Sequence, residues 1–152
     1  MPRLYSLLIS VDGDLRTERY FNGATSARAT NIKSASKSIV ATLVGIAIDR
    51  GHIPSVREPI STYFADTLRN APDKSRITVE DLNTMRSGLE TTSNRNYGRW
   101  VQSGNWVRHV LERPLIDQPG GRMIYSTGST HLLSAILTRA TGSSTLAFAR
   151  SA

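Results

Sequence analysis

The segment from Ser34 to Arg50 constrains the fold more than any other part of the sequence. Its apolar residues recur at the spacing that places them on one side of an α-helix. They are Ile39, Val40, Leu43, Val44, Ala47 and Ile48. Gly51 follows, at the position where a left-handed glycine commonly ends a helix. The pattern predicts a long, largely buried helix over residues 34–50, which needs other elements to pack against.

A hairpin precedes this helix and a mostly helical region follows it. Residues 4–12 and 15–21 indicate two strands around Asp12-Gly13, a dipeptide typical of tight hairpin turns. Residues 60–152 have the composition and spacing of several helices with short connections. The sequence therefore predicts one continuous domain, or one piece of one, with its hairpin at residues 4–21.

The helical region divides into elements bounded by capping and turn residues. Apolar spacing predicts helices over residues 60–68, 78–86, 106–111 and 126–141, and another that starts at Thr145. Thr78 is placed to cap the second of these, with Asp81 at the capping-box position. We expect residues 70–76 to be loop and residues 90–105, which are rich in Thr, Ser and Asn, to be a polar surface excursion.

Composition excludes several classes of function. The chain of 152 residues has no Cys, which rules out disulfides, Cys-ligated zinc, iron–sulfur clusters and thiol nucleophiles. The longest nearly uncharged apolar run, residues 38–48, is shorter than the roughly 18 residues of a membrane-spanning helix. Dinucleotide, P-loop, nucleophile-elbow and zincin motifs are absent, and the three histidines lack a ligand-like spacing. We expect no metal, no cofactor and no membrane span.

The charge balance is basic, with 19 Lys+Arg against 12 Asp+Glu and a formal net charge of +7. Nucleic-acid-binding proteins concentrate such charge in a patch or along one face. Here the basic residues are scattered along the chain, with no run of three. We therefore expect no specific nucleic-acid partner, and a basic nucleic-acid binder stays as an alternative that steep salt dependence would reveal. No signal peptide is visible, which makes the cytoplasm the default expectation.

The first turn of the predicted helix carries Ser34-Ala35-Ser36-Lys37. Residues three apart on a helix lie on one face, so the Ser34 hydroxyl and the Lys37 amine can meet. A serine hydroxyl needs a neighbour that takes its proton, and a lysine can do this or assist another base. The helix start also offers backbone N–H groups and partial positive charge. These are the parts of an activated nucleophile, although S-x-x-K alone is common.

Three segments in order resemble the serine β-lactamase and penicillin-binding-protein superfamily, most closely the class C β-lactamase-like esterases and peptidases. The first is NIKSASKSIVATLVGIAIDRGHI, which resembles the nucleophile segment. The second, ITVEDLNTMRSGL over residues 77–89, is similar to the segment I-T-[IV]-x-x-L-L-T-x-x-S-G-L of that family. The third, PGGRMIYSTGSTHLLSAILTRATG over residues 119–142, is similar to its second catalytic block.

The resemblance implies a role for each matching residue. Ser34 is the acyl-accepting nucleophile, Lys37 its proton-relay partner and Tyr125 the second base, because Tyr125 matches the first residue of the Y-x-N motif. A phenol of pKa about 10 is neutral at pH 7, so Tyr125 needs a cation to shift its pKa, and Lys37 is the obvious one. Ser126 and Thr127, which continue this motif, are expected to contact substrate.

The chain departs from the family pattern at Thr127, where many members have Asn. A threonine keeps a hydroxyl but lacks the amide that contacts substrate, which argues against efficient β-lactam turnover. Ser103-Gly104-Asn105 satisfies the rival S-x-N pattern in a polar stretch without the flanking residues of the family. Tyr125-Ser126-Thr127 and Ser103-Gly104-Asn105 are therefore both candidates for the second motif.

A third family element, K-T-G or H-x-G on a distant strand, has no counterpart in the sequence. Ala140-Thr141-Gly142 resembles it superficially but ends a helix. The resemblance thus implies an incomplete α+β fold, which is the N-terminal part of the family fold without the later sheet strands. We expect such a fragment to expose its strand edges, to leave Ile39, Val40, Leu43 and Val44 largely uncovered, and to self-associate.

The sequence predicts a serine hydrolase that forms an acyl-enzyme at Ser34 on a small ester, amide or peptide substrate. The alternative is a catalytically inactive fragment that acts as a binding or interaction module. Removal of one oxyanion-hole donor typically costs about 10²–10³ in rate, so a chain without the third element is expected to be weak.

Overall fold

The computed structural model describes residues 3–152. Over that range the chain divides into two compact units, one that ends at Lys33 and one that spans Ser34–Ala152. The described residues form an α+β fold, as predicted. The strands are β1 (Ser6–Val11) and β2 (Asp14–Tyr20). The helices are α1 (Ser36–Asp49), α2 (Ser61–Leu68), α3 (Pro72–Ser75), α4 (Val79–Asn83), α5 (Tyr97–Val101), α6 (Trp106–Leu111), α7 (Thr127–Thr141) and α8 (Thr145–Ser151).

The first unit contains the predicted hairpin. Strands β1 and β2 pair antiparallel, from Ser6 opposite Tyr20 to Val11 opposite Asp14. Asp12 and Gly13 between them have φ of 54° and 88°, so both adopt the left-handed conformation that suits a tight two-residue hairpin turn. All six residues of β1 are exposed. Backbone pairing, rather than a buried face, therefore holds this sheet together.

The second unit is built around α1 and α7. Leu43, Val44 and Ala47 of α1 are buried, and α1 packs against the face of α7 that carries Leu132 and Ile136. The expectation of an uncovered apolar stripe on α1 is therefore wrong for Leu43 and Val44. Val40 is partly buried, and of the four stripe residues Ile39 alone is exposed, at 49%. The helices that follow α1, above all α7, provide this cover.

The start of the nucleophile helix differs slightly from the predicted 34–50. Lys33–Ala35 form a 3₁₀ turn, and regular α-helix begins at Ser36. Gly51 ends the helix as expected, with φ of 74°, and its N–H donates to the Ile48 carbonyl. Ser34 therefore lies in the 3₁₀ turn, where it is exposed to solvent.

Two further predictions about the helical region need correction. Residues 70–76 are not all loop, because Pro72 at the first helical turn starts α3. The Thr78–Asp81 capping box is present, but α4 ends at Asn83, before Met85 with its φ of 57°. No helix in the described part of the chain is long and apolar enough to cross a membrane.

Residues 90–105 form a surface excursion only in part. Thr92, Ser93 and Trp100 are buried, and a 3₁₀ turn and α5 give this stretch regular structure. The polar side chains are tolerated inside because hydroxyl groups find hydrogen-bond partners there, as described below. Composition alone predicted exposure, and tertiary hydrogen bonds overrode it.

Candidate active site

The structure brings Ser34, Lys37 and Tyr125 together. Lys37 Nζ lies 3.2 Å from Ser34 Oγ, as the spacing of three residues allows. Tyr125 Oη lies 2.7 Å from the same Ser34 oxygen, although the two residues are 91 positions apart. Tyr125 is contributed by the segment just before α7, and the packing of α7 against α1 carries it to the start of α1.

The surroundings of Tyr125 favour the ionised form of its phenol. Its pKa lies below the ordinary value of a phenol, chiefly because of the hydrogen bond with Ser34, then the hydrogen bond with Lys37. The positive charge of Lys37 acts in the same direction, and partial burial opposes both. Lys37 Nζ also lies 5.3 Å from the centroid of the Tyr125 ring. One amine therefore contacts both the hydroxyl and the phenol.

A run of three hydroxyl residues, Thr91–Ser93, holds the Tyr125 segment in place, and we call it the hydroxyl clamp. Thr91 Oγ1 donates to the Tyr125 carbonyl at 2.7 Å. The Thr92 N–H donates to Ser126 Oγ at 3.2 Å. Ser93 Oγ accepts from the Thr127 N–H at 2.9 Å. Three consecutive residues of the clamp thus bind three consecutive residues of the segment.

The clamp also caps α7. The N-cap residue Ser126 makes no side-chain capping bond of its own, and the Gly128 N–H donates instead to Thr92 Oγ1 at 2.9 Å. A Cβ at Gly128 would lie 2.5 Å from Thr92 Oγ1 and 2.6 Å from Val110 Cγ2. Glycine is therefore required at position 128 for the close approach of the clamp to α7. This fixes the start of α7, and with it Tyr125.

The two predicted substrate contacts next to Tyr125 lie in different environments. Ser126 is 4% exposed, and its hydroxyl contacts Thr92 in the interior, so it does not face the open side of the site. Thr127 is partly exposed and lies next to Lys37 in a shallow groove. Its hydroxyl is 3.0 Å from Ser93 Oγ. Thr127 remains available to substrate, whereas Ser126 serves the clamp.

The side chains of the rival S-x-N motif, Ser103-Gly104-Asn105, make hydrogen bonds to residues close to them in sequence. Ser103 Oγ donates to the Trp100 carbonyl at 2.7 Å. Asn105 caps α6, where its side-chain oxygen accepts from the Arg108 N–H at 2.9 Å. Neither side chain is hydrogen-bonded to Ser34 or Lys37. Among the described residues, no group of three or more His, Asp or Glu side chains could hold a metal ion.

The arrangement forms a continuous hydrogen-bond chain. Lys37 donates to Ser34 Oγ, and the Ser34 hydroxyl can donate in turn to Tyr125 Oη. A phenolate at Tyr125 would accept the serine proton as the oxygen attacks an electrophile. The site therefore places an exposed serine hydroxyl between a phenol with a lowered pKa and an amine that contacts both.

Comparisons with known proteins identify relatives of the same fold. The sequence profile of the family described as Beta-lactamase matches residues 5–151. The solved structure of FmtA from Staphylococcus aureus has a TM-score of 0.76 and 20% sequence identity, and the match covers 97% of this chain and 42% of that one. The octameric penicillin-binding protein homologue from Pyrococcus abyssi has a TM-score of 0.72 and 22% identity, covering 96% of this chain and 37% of that one.

These matches also set the extent of the similarity. The chain spans about 40% of the length of the solved structures that it resembles. At these identities the structural likeness establishes the fold. No protein of curated function matches the chain by sequence.

Proposed function

Because the chain belongs to the β-lactamase family, we propose that it carries the acylation site of a serine hydrolase, with Ser34 as nucleophile, Lys37 as proton-relay partner and Tyr125 as general base. The observation that carries the proposal is the pair of contacts on Ser34 Oγ, at 2.7 Å to Tyr125 and 3.2 Å to Lys37. A hydroxyl placed between a base and a cation is the arrangement that nucleophilic catalysis needs.

In the proposed acylation, Ser34 Oγ forms a bond to the carbonyl carbon of an ester or amide. The serine proton passes to the Tyr125 phenolate, and Tyr125 then delivers it to the departing alcohol or amine as the original C–O or C–N bond breaks. Hydrogen bonds with Ser34 and Lys37 lower the pKa of Tyr125 and so favour the phenolate that this step uses.

Deacylation repeats these proton transfers with water. Tyr125 takes a proton from water as the hydroxide forms a bond to the acyl carbon, and the proton returns to Ser34 Oγ as the ester bond breaks. The product is a carboxylic acid, and the site is restored. No cofactor enters either half of this cycle.

Thr127 supports a preference for esters over β-lactams. It lacks the side-chain amide that the family resemblance associates with β-lactam recognition, and its hydroxyl already contacts Ser93. We propose activated short-chain esters as the substrates that are hydrolysed measurably, and penicillins and cephalosporins as poor ones. Faster turnover of a chromogenic cephalosporin than of an aryl acetate would contradict this preference.

The test of the function is a single-turnover experiment. The family resemblance places a second oxyanion-hole donor on a strand beyond the region matched here, and one such donor is worth about 10²–10³ in rate, so steady-state turnover by residues 1–152 is expected to be slow. With protein in excess over p-nitrophenyl acetate, the proposal predicts release of p-nitrophenol at a rate proportional to protein concentration. Ser34→Ala should abolish this release.

Ser38→Ala is the matched control, because Ser38 is exposed on α1 and the Thr42 hydroxyl donates to its carbonyl, which the substitution keeps. It should release p-nitrophenol as the wild type does. Equal release by Ser34→Ala and wild type would overturn the proposed nucleophile.

A further inference from the structure

A shallow groove of about 200 Å³ begins at Lys37 and runs between α1 and α7. On the α1 side it is lined by Lys37 and Val40, and on the α7 side by Thr127, Thr130 and His131, with Trp100 contributing an aromatic wall. Lys37 therefore belongs both to the groove and to the hydrogen-bond chain of Ser34. Ser34 does not line the groove itself, and Lys37 is the residue that contacts Ser34 and also lines the groove.

The size of the groove limits what it can hold. Drug-sized ligands need pockets of roughly 300–1,000 Å³, so this groove fits a short chain or a single ring. Its lining from Thr127 to Ser134 on α7 extends over about 10 Å, as seven residues of helix rise about 1.5 Å each. No acidic side chain lines it, which leaves no partner for a cationic group.

His131 provides a second, independent observation. Its ring packs edge-to-face on Trp100 and Trp106, with centroid distances of 5.6 Å and 5.4 Å. Burial lowers its pKa, so the ring is neutral at pH 7. Within the described residues, its imidazole nitrogens make no hydrogen bond or ion pair. A half-buried neutral imidazole without such a bond is a group that a ligand could satisfy.

We propose that this groove, formed by Lys37, Val40, Trp100, Thr130 and His131, binds the acyl chain of the substrate and selects uncharged chains of about four to six carbons over an acetyl group. The inference rests on the proposed function of Ser34. Val40 and Trp100 supply the apolar contacts along the chain. His131 can form a hydrogen bond with a polar atom carried by the chain.

The first arm of the test measures chain-length preference. We expect kcat/KM for acylation by p-nitrophenyl hexanoate to exceed that for the acetate at least tenfold, which equals about 1.4 kcal/mol. Burial of about two of the additional methylene groups would supply this factor. Val40→Phe fills the groove and should reduce the hexanoate-to-acetate ratio to near one.

Ile39→Phe is the matched control, because Ile39 is the exposed neighbour of Val40 on α1 and lies outside the groove. It should keep the ratio of the wild type. An unchanged ratio in Val40→Phe, or a wild-type ratio near one, would overturn the groove assignment while Ser34 acylation stands.

The second arm does not require catalysis. Hexanamide is titrated into Ser34→Ala, and the imidazole resonances of the three histidines are followed by NMR. The His131 resonances should shift with saturation, whereas those of His52 and His109 should not, and acetamide at equal concentration should shift none of them. Binding of hexanamide without acylation of the wild type would contradict the proposed function alone. Acylation without a His131 shift would contradict the groove.

Discussion

The two units of the chain differ in how they are stabilised. In the hairpin, every residue of β1 is exposed and backbone hydrogen bonds provide the order. By contrast, all the buried apolar side chains in the described residues lie between Leu43 and Phe148, in the helical unit. The helical unit also contains Ser34, Lys37, Tyr125 and the hydroxyl clamp that positions them. The core and the candidate site therefore lie in the same unit.

The largest difference between the units should appear when a leucine is shortened in each. Leu132 of α7 is 0% exposed, and Leu132→Ala should lower the free energy of unfolding by about 2–5 kcal/mol, because it leaves a cavity in a packed core. Leu8 of β1 is 55% exposed, and Leu8→Ala should change the free energy of unfolding by less than about 0.5 kcal/mol. Urea unfolding followed by helical circular dichroism measures both. Similar losses in the two variants would show that the hairpin is packed in solution.

Substitution of two threonines, one in each unit, tests whether the hydroxyl clamp stabilises the start of α7. Thr92→Val keeps the shape of the side chain but leaves the buried Gly128 N–H without its acceptor, which costs about 1–3 kcal/mol of stability. Thr17→Val in β2 alters a strand position that suits either residue and should be nearly neutral. The same urea titration compares them. If Thr92→Val is no more destabilising than Thr17→Val, the clamp does not hold α7.

The pH dependence of acylation tests the electrostatic link within the helical unit. Hydrogen bonds with Ser34 and Lys37 lower the pKa of Tyr125, and the phenolate is the proposed base, so the acylation rate should rise as pH passes upward through that pKa. Lys37→Met removes one of these bonds and a positive charge. The pKa of Tyr125 should then rise, and the increase in rate should move to higher pH.

Arg16→Met in the hairpin is the control for this experiment. Arg16 pairs with Asp14 on the exposed sheet, so its loss should leave the pH profile where it is in the wild type. A Lys37→Met profile that rises at the wild-type pH would mean that Tyr125 is not the titrating base.

The smallest free-energy effect concerns self-association of the exposed hairpin. Leu8→Lys places a charge on an exposed strand, which disfavours edge-to-edge pairing with another chain. Sedimentation velocity at increasing concentration should show association of the wild type and a larger monomer fraction for Leu8→Lys. Leu146→Lys in α8 replaces an equally exposed leucine, and should associate as the wild type does. Equal association by all three proteins would remove the hairpin as the contact surface.

Local signals were sufficient to predict much of this fold. The turn at Asp12-Gly13, the Thr78–Asp81 capping box and the end of α1 at Gly51 all depend on residues close in sequence. The approach of Lys37 to Ser34 belongs to the same class, because helical spacing alone brings them together. Such features need no knowledge of tertiary packing.

The remaining features depend on contacts between distant residues. The clamp joins Thr92 to Ser126 across 34 positions, and nothing in a run of Thr and Ser distinguishes a buried clamp from an exposed loop. Tyr125 reaches Ser34 across 91 positions, so only the family resemblance, and not spacing, could nominate it. The uninterrupted hydroxyl run Thr91–Ser93, 34 residues before the Tyr125 segment, is the signal that sequence reasoning passed over.

Site-resolved covalent labelling tests the central claim that the helical unit holds an activated serine. The chain is treated with a fluorophosphonate, digested with trypsin and analysed by fragmentation mass spectrometry. The account predicts that the phosphonyl adduct lies on Ser34 and is absent from Ser34→Ala, because Ser34 is the serine that contacts both Tyr125 and Lys37. An adduct on Ser36, Ser38 or Ser126, or undiminished labelling of Ser34→Ala, would contradict it.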